Sequence, residues 1–355
     1  MGKLYGAFSK ALFCLDPERA HNFSLAALKS GFMPLKDAEI DPVLQSNVFN
    51  LDFPNPVGLS AGYDKNGAVL DALLGLGFGF VEAGSITPLP QEGNPRPRIF
   101  RLTEDEAVIN RLGFNNKGLE VAASNFKAPR RAGVVGANLG ANKDSDDRIA
   151  DYVLGLKTLA PYASYVTVNI SSPNTPGLRA LQGKGELEEL LGRLMQARSQ
   201  LPDENDRRKA ILLKIAPDLT AEDKKDIAEV ALAMKLDGLI ATNTTITRPD
   251  TLTSTQKGET GGLSGAPLKA LSERVVKDMY QLTGGEIPII GVGGIASAED
   301  AYSRIRAGAS LVQLYSAMVY HGPFLAHKIA LGLAGLLKAD GYKSVSEAVG
   351  VDAGS

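Results

Sequence analysis

The chain has 355 residues, 44% of them hydrophobic, enough to bury a full core, and a (β/α)8 barrel uses about 250 residues before insertions. A formal charge of −2, from 38 Lys+Arg against 40 Asp+Glu, leaves no bulk electrostatic case for nucleic acid, so a small-molecule partner is expected. A single cysteine, Cys14, cannot form an internal disulfide, and with three scattered histidines (His21, His321, His327) it argues against a metal centre or a Ser-His-Asp triad.

Residues 1–32 read as a helical hairpin. Leu4, Phe8 and Leu12 share one helical face, and a second helix opens with Asp16 as N-cap and Pro17 at its first position. Two readings stay open: a lid packed on the main domain, or an amphipathic surface entering lipid headgroups beside Lys3 and Lys10. No run reaches the ~20 apolar residues of a membrane span, and Lys10 interrupts the apolar stretch that would otherwise resemble a secretory signal. Neither a bilayer crossing nor export is expected. Residues 40–54 read as a short strand pair plugging a barrel floor.

From residue 55 onward, β-rich runs alternate with helical stretches. Strands are expected at Pro56–Ser60, Gly79–Gly84, Gly133–Asn138, Tyr165–Ile170, Ile211–Ile215, Gly238–Asn243, Ile287–Val292 and Ser310–Tyr315. Continuous apolar strands separated by amphipathic helices indicate a parallel sheet covered by helices, and eight such units close a TIM barrel. Helices are expected at Ser145–Ala160, Gly185–Gln200, Thr220–Met234 and Ser297–Ala307, the last two opened by Thr220-Ala221-Glu222-Asp223 and Ser297-Ala298-Glu299-Asp300. Two intervals, 85–132 and 244–286, are longer than one βα unit needs and read as loops inserted at the active-site face. The expected division is a hairpin at 1–39, a barrel at 40–340 and a tail at 341–355.

Polar residues end almost every strand, where a TIM barrel builds its site. Ser60-Ala61-Gly62-Tyr63-Asp64-Lys65, Ser85-Ile86-Thr87, Asn138, Asn169 to Asn174, Lys214 and Thr242-Asn243-Thr244-Thr245 together point to a planar, hydrogen-bonding ligand rather than a metal. Gly291-Val292-Gly293-Gly294-Ile295 and Tyr315-Ser316 follow strands seven and eight, the usual phosphate site of this fold. Lys65 and Lys214 could form a Schiff base, neutralise a reduced cofactor, or pair with Glu82 or Asp218. Asn169-Ile170-Ser171-Ser172-Pro173-Asn174-Thr175-Pro176 is a proline-stiffened polar loop that fixes hydroxyls and amides over the site.

Several long blocks then occur in order: Asn55-Pro56-Val57-Gly58-Leu59, Ala61-Gly62-Tyr63-Asp64-Lys65, Gly93-Asn94-Pro95-Arg96-Pro97-Arg98, Ile109-Asn110-Arg111-Leu112-Gly113-Phe114-Asn115-Asn116, Asn169 to Thr175, Lys214-Ile215-Ala216-Pro217-Asp218, Ala241-Thr242-Asn243-Thr244-Thr245 and Gly261-Gly262-Leu263-Ser264-Gly265. From about Leu12 to about Leu337 the chain resembles the quinone-dependent, class 2 dihydroorotate dehydrogenases. The resemblance implies oxidation of (S)-dihydroorotate to orotate in pyrimidine synthesis, with FMN as hydride acceptor and a membrane quinone as terminal acceptor. It implies FMN contacts at Ala61, Gly62, Lys65, Ser85, Asn138, Asn169, Lys214, Thr242, Gly265, Gly294, Tyr315 and Ser316. Substrate contacts are implied at Lys65, Asn110, Arg111, Gly113, Phe114, Asn169, Asn174, Asn243 and Thr244, with Ser172 as catalytic base and no metal. The soluble class of the family uses a cysteine as this base, and Cys14 lies outside the expected barrel.

The same resemblance turns residues 1–32 toward the membrane reading, as a peripheral attachment on the cytoplasmic face of a bacterial inner membrane. It implies a quinone tunnel lined by Phe8, Leu12, Leu15, His21 and Phe32, with Arg101 near its inner end, and no iron–sulfur partner subunit.

Overall fold

A computed structural model describes residues 13–31, 35, 40–128, 130–202 and 208–354. The expected first helix of the hairpin, with Lys3, Leu4, Phe8, Lys10 and Leu12, lies outside the described residues, as does Phe32. Eight parallel strands close a barrel: β1 Val57–Leu59, β2 Phe80–Ile86, β3 Val134–Leu139, β4 Tyr165–Asn169, β5 Ala210–Ile215, β6 Gly238–Ala241, β7 Ile289–Val292 and β8 Leu311–Leu314. The closing register pairs Val312 with Val57 and Leu314 with Leu59. Strands β3 to β8 are buried at every position, as expected when side chains face packed layers inside and helices outside.

The helices hold their expected places with ends shifted by a few residues. Arg148–Leu159 starts behind Asp147, and Lys184–Arg198 precedes β5. Ala221–Ala233 and Ala298–Arg306 each carry a reciprocal capping box, Thr220 with Asp223 and Ser297 with Asp300. Each box satisfies two backbone donors that the first helical turn leaves open.

The floor is closed by an antiparallel pair, Ser46–Val48 with Leu51–Phe53. Phe49 and Asn50 turn the chain at positive φ, 56° and 60°, as a two-residue hairpin requires. The Phe53 ring meets Phe80 edge-on at 5.2 Å and joins an apolar cluster with Leu212, Ile240, Ile290 and Leu311.

The two long intervals are more than loops. Ile99–Leu102, Ala107–Asn110 and Gly262–Gly265 form a three-stranded antiparallel sheet that unites both insertions. At Gly262 a Cβ would lie 1.9 Å from Thr244 Oγ1, so only glycine lets this sheet approach the end of β6 so closely.

Residues 341–354 fold back on the barrel. A 3-10 turn at Val345–Ala348 is followed by a bond from Gly350 N to Ile305 O of 3.1 Å and an ion pair between Arg306 and Asp352 of 2.6 Å.

Helix Pro17–Lys29 begins as its cap dictates, with the Asp16 carboxylate accepting from Glu18 N and Arg19 N at 3.1 and 3.0 Å. Its Glu18 accepts from Arg98 Nη2 at 2.6 Å and Arg98 Nε at 3.1 Å, and pairs with Arg96 at 3.1 Å. Burial raises the carboxyl's affinity for a proton, but hydrogen bonds from Arg98 and Arg96 outweigh it and hold Glu18 below its ordinary 4.5. Because the folded pKa is depressed, the stability this pair contributes is full above pH 4.5 and is lost as pH falls through the lower folded value. Limited proteolysis along an acid titration should therefore release helix Pro17–Lys29 below pH 4.5, and Glu18→Gln should lack that pH-dependent step. An unchanged acid profile in Glu18→Gln would reject this account.

Candidate active site

A cavity of about 520 Å³ runs from helix Pro17–Lys29 to the C-terminal ends of the barrel strands. Phe13, Pro17, Ala20, His21, Ser24 and Ala27 form its outer wall. Of the residues expected at the site, Ala61, Gly62, Lys65, Ser85, Asn169, Lys214, Thr242, Gly265, Gly294, Tyr315 and Ser316 line it. So do Asn110, Gly113, Phe114, Ser172, Asn174, Asn243 and Thr244. Arg101 also lines it, its guanidinium 4.9 Å from the Phe13 ring.

Three expected residues stand back from the wall: Leu15, expected to line the quinone tunnel, is 43% exposed at the surface, and the other two were expected to contact cofactor or substrate. Asn138 is fully buried behind Ser85, accepting from Ser85 Oγ at 2.5 Å and donating to Glu82 Oε1 at 2.8 Å. Its action on a ligand would pass through Ser85. Arg111 is not on the cavity wall: its guanidinium pairs with Glu259 at 2.7 Å and lies 4.4 Å from the Phe100 ring. Side chains alternate across a strand, so the residue following Asn110 turns to the other face.

The loop after β4 is held from several sides. Arg179 donates to Ser171 O at 3.0 Å and Thr244 O at 3.1 Å while paired with Asp218 at 2.9 Å. Asn243 Nδ2 donates to Ser171 Oγ at 2.9 Å and Asn169 Oδ1 at 3.2 Å, and Asn169 Nδ2 donates to Ser85 Oγ at 2.9 Å. Ser172 Oγ accepts from Asn174 N at 3.2 Å, and Asn174 Nδ2 donates to Asn110 O at 3.1 Å. Thr175 Oγ1 is buried without a hydrogen-bond partner among the described residues.

Both lysines are at the cavity wall. Lys65 Nζ donates to Gly62 O at 2.9 Å and lies 3.4 Å from His21 Nε2. Burial pushes the Lys65 ammonium down to about 8, and burial beside Lys65 pushes the His21 imidazole down to about 3. His21 is thus neutral and accepts. Lys214 donates to Ser60 Oγ at 3.2 Å, and burial lowers its pKa against the opposing pull of Glu82. Of the two carboxylates weighed as direct lysine partners, Asp218 is bound to Arg179, and Glu82 is filled by other donors. Asn138, Tyr165, Thr167 and Gln313 donate to it at 2.8, 3.0, 3.1 and 3.2 Å.

The loop after β7 turns through Gly293 and Gly294 at φ 120° and 69°. A Cβ on Gly294 would sit 2.5 Å from Lys269 Cα, so this loop lies flat against the start of helix Lys269–Leu282. Uncharged amides and hydroxyls, two cationic lysines and exposed backbone in a half-enclosed cavity suit a planar polar ligand with an anionic end.

The family model described as dihydroorotate dehydrogenase matches residues 43–337. The chain belongs to the dihydroorotate dehydrogenase family. It is 53% identical over 352 residues to "Dihydroorotate dehydrogenase (quinone)" of Azorhizobium caulinodans, covering 98% of this chain and 99% of that one. It is 56% identical to the protein of the same name from Rhodospirillum rubrum, over 96% of this chain and 93% of that one. A crystal structure of the dihydroorotate dehydrogenase of Eimeria tenella in complex with ferulenol superposes with a TM-score of 0.91 at 44% identity, over 95% and 96% of the two chains.

Several residues that shape the cavity and the loops around it carry little or no signal in the sequence. Gln313 had a readable signal, a lone polar residue within the apolar run Leu311–Leu314. Arg179, Arg304 and Glu18 had none, because charges on helices and turns ordinarily mark a solvated face.

Proposed function

We propose that the chain oxidises (S)-dihydroorotate to orotate with a membrane quinone as terminal acceptor, using FMN held between Lys65, Lys214 and the glycine loop after β7. The observation that carries this reading is the single cavity joining Ser172 and the two lysines to the wall of helix Pro17–Lys29.

The donor set fits FMN. Lys65, partly buried, and Lys214, buried, have neutral hydrogen-bond partners among the described residues, Gly62 O with His21 and Ser60 Oγ, so an electron-rich ring would offset their desolvation. Ser85, Asn169 and Thr242 supply hydroxyl and amide groups for a planar heterocycle, and Gly265, Gly294 and Ser316 surround an anionic end. FMN, when bound, would accept the hydride and pass the electrons to the quinone.

Ser172 takes the proton from C5 of the substrate, while Asn110, Asn174, Asn243 and Thr244 orient its ring and carboxylate. A serine hydroxyl is a weak base and needs a route for the proton; Thr175, buried and unpartnered three residues on, is suited to receive it through a water. Phe114 closes the site against bulk solvent. Helix Pro17–Lys29 lies at the outer end, where peripheral docking to the cytoplasmic face of a bacterial inner membrane would deliver the quinone. Among the described residues no helix is long and apolar enough to cross a membrane.

The purified chain should be yellow, bleach on anaerobic addition of dihydroorotate, and regain its colour with a quinone but not with NAD or fumarate. Failure to bleach would sink the dehydrogenase reading. Recovery with NAD or fumarate would replace the quinone by a soluble acceptor.

A further inference from the structure

We infer that Arg304 is a positioning residue for the phosphate of the cofactor, delivering its charge through the peptide between Gly293 and Gly294. This rests on the FMN reading given above. Arg304 belongs to helix Ala298–Arg306, on the outer side of the barrel, and is fully buried. Its Nη2 donates to Gly293 O at 3.0 Å and to Lys269 O at 3.1 Å, and its Nη1 donates to Ser272 Oγ at 2.7 Å. Ser272 Oγ in turn donates to Val292 O at 2.5 Å. One guanidinium thus ties both residues leading into the loop to the first turn of helix Lys269–Leu282.

Such an arrangement does two things to the face that lines the cavity. A cation hydrogen-bonded to a peptide oxygen polarises the peptide, so the Gly294 N–H becomes a stronger donor. The same bonds hold Gly293 and Gly294 in their left-handed conformations before any anion arrives, so less ordering is required on binding. Fixed donors set in a poorly solvated wall are the means by which proteins hold phosphates without a direct cationic contact.

Nearby charges leave this field in place. The Glu273 carboxylate is 3.9 Å from Arg304 Nε and its side chain is one-third exposed, against 1% for Arg304. Asp300 is engaged by Lys269 and by the backbone N–H groups of Ala296 and Ser297. A fully buried arginine of purely structural purpose would more often be met by a buried carboxylate. Here it is met mostly by neutral oxygens, two of them backbone groups at the loop and at the helix start.

The test compares FMN with riboflavin, which lacks the phosphate, in full-length protein stripped of flavin and titrated by fluorescence quenching. Arg304→Met should weaken FMN binding about tenfold or more, the scale of one charge-assisted hydrogen bond, while riboflavin binding stays unchanged. Arg304→Lys keeps the charge without the fork and should lie between wild type and Arg304→Met for FMN alone, which preserves the test if Arg304→Met does not fold. Equal weakening of FMN and riboflavin, or no change in FMN, would overturn the inference. A wild-type chain that took up neither flavin would instead overturn the FMN reading on which it rests.

Discussion

Ser172→Ala is expected to retain flavin and fold normally, yet to bleach with dihydroorotate more slowly by about 10²-fold or more, the scale of a lost general base. The loop does not depend on this hydroxyl for its shape. Arg179 still holds Ser171 O and Thr244 O, and Asn174 Nδ2 still reaches Asn110 O; among the described residues the bond lost is that from Asn174 N to Ser172 Oγ at 3.2 Å. The measurement is stopped-flow absorbance of the flavin under anaerobic conditions. Ser172→Cys should recover part of the rate as pH rises through the ordinary thiol range near about 8.5, because the thiolate is the competent base. A Ser172→Ala protein that bleaches at the wild-type rate would assign the proton to another group.

The second large effect is expected on the other half-reaction. Ala20 lies on helix Pro17–Lys29 and faces the cavity. Ala20→Trp places an indole in the passage and should slow quinone-dependent reoxidation by about 10²-fold, since a quinone held out of contact geometry loses the benefit of proximity. Bleaching by dihydroorotate should be unaffected, because Ser172, Asn110, Asn174 and Asn243 sit at the barrel end of the cavity. This substitution is a cleaner probe than deleting the helix. Deletion would leave Arg98, only 5% exposed, without Glu18, and breaking a buried pair typically costs about 3–5 kcal/mol. Equal loss of both half-reactions in Ala20→Trp would mean that the helix packs the barrel and does not admit a quinone.

The barrel was legible because its signal is local: each strand is a short apolar run ended by a polar residue, and burial on both faces makes that run continuous. The capping boxes at Thr220 and Ser297 were readable for the same reason. The three-stranded sheet was not, because Ala107–Asn110 pairs with Gly262–Gly265, some 150 residues later, and a glycine-bounded segment carries no β signal of its own. The lining residues that follow the barrel strands were legible as strand ends, whereas Asn110, Gly113, Phe114 and Gly265, on the inserted sheet and its loops, came only with the family resemblance. Arg111 was not placed by its motif, since one step along a strand reverses the face and sends its guanidinium to Glu259. Arg304 and Glu18 were hidden for a related reason: a charge within a helix says nothing of the oxygen or arginine that awaits it elsewhere in the fold.

The carboxylate of Glu82, saturated by four donors from β3, β4 and β8, carries a consequence for inheritance. Loss of any one donor leaves a buried carboxyl group short of partners, and loss of Glu82 strands four polar side chains together. Positions 82, 138, 165, 167 and 313 therefore form one mutational unit. A lineage that abandons the acid should replace most of its companions with apolar residues in the same interval of descent, and single exchanges at these sites should be rare even where the surrounding barrel drifts freely.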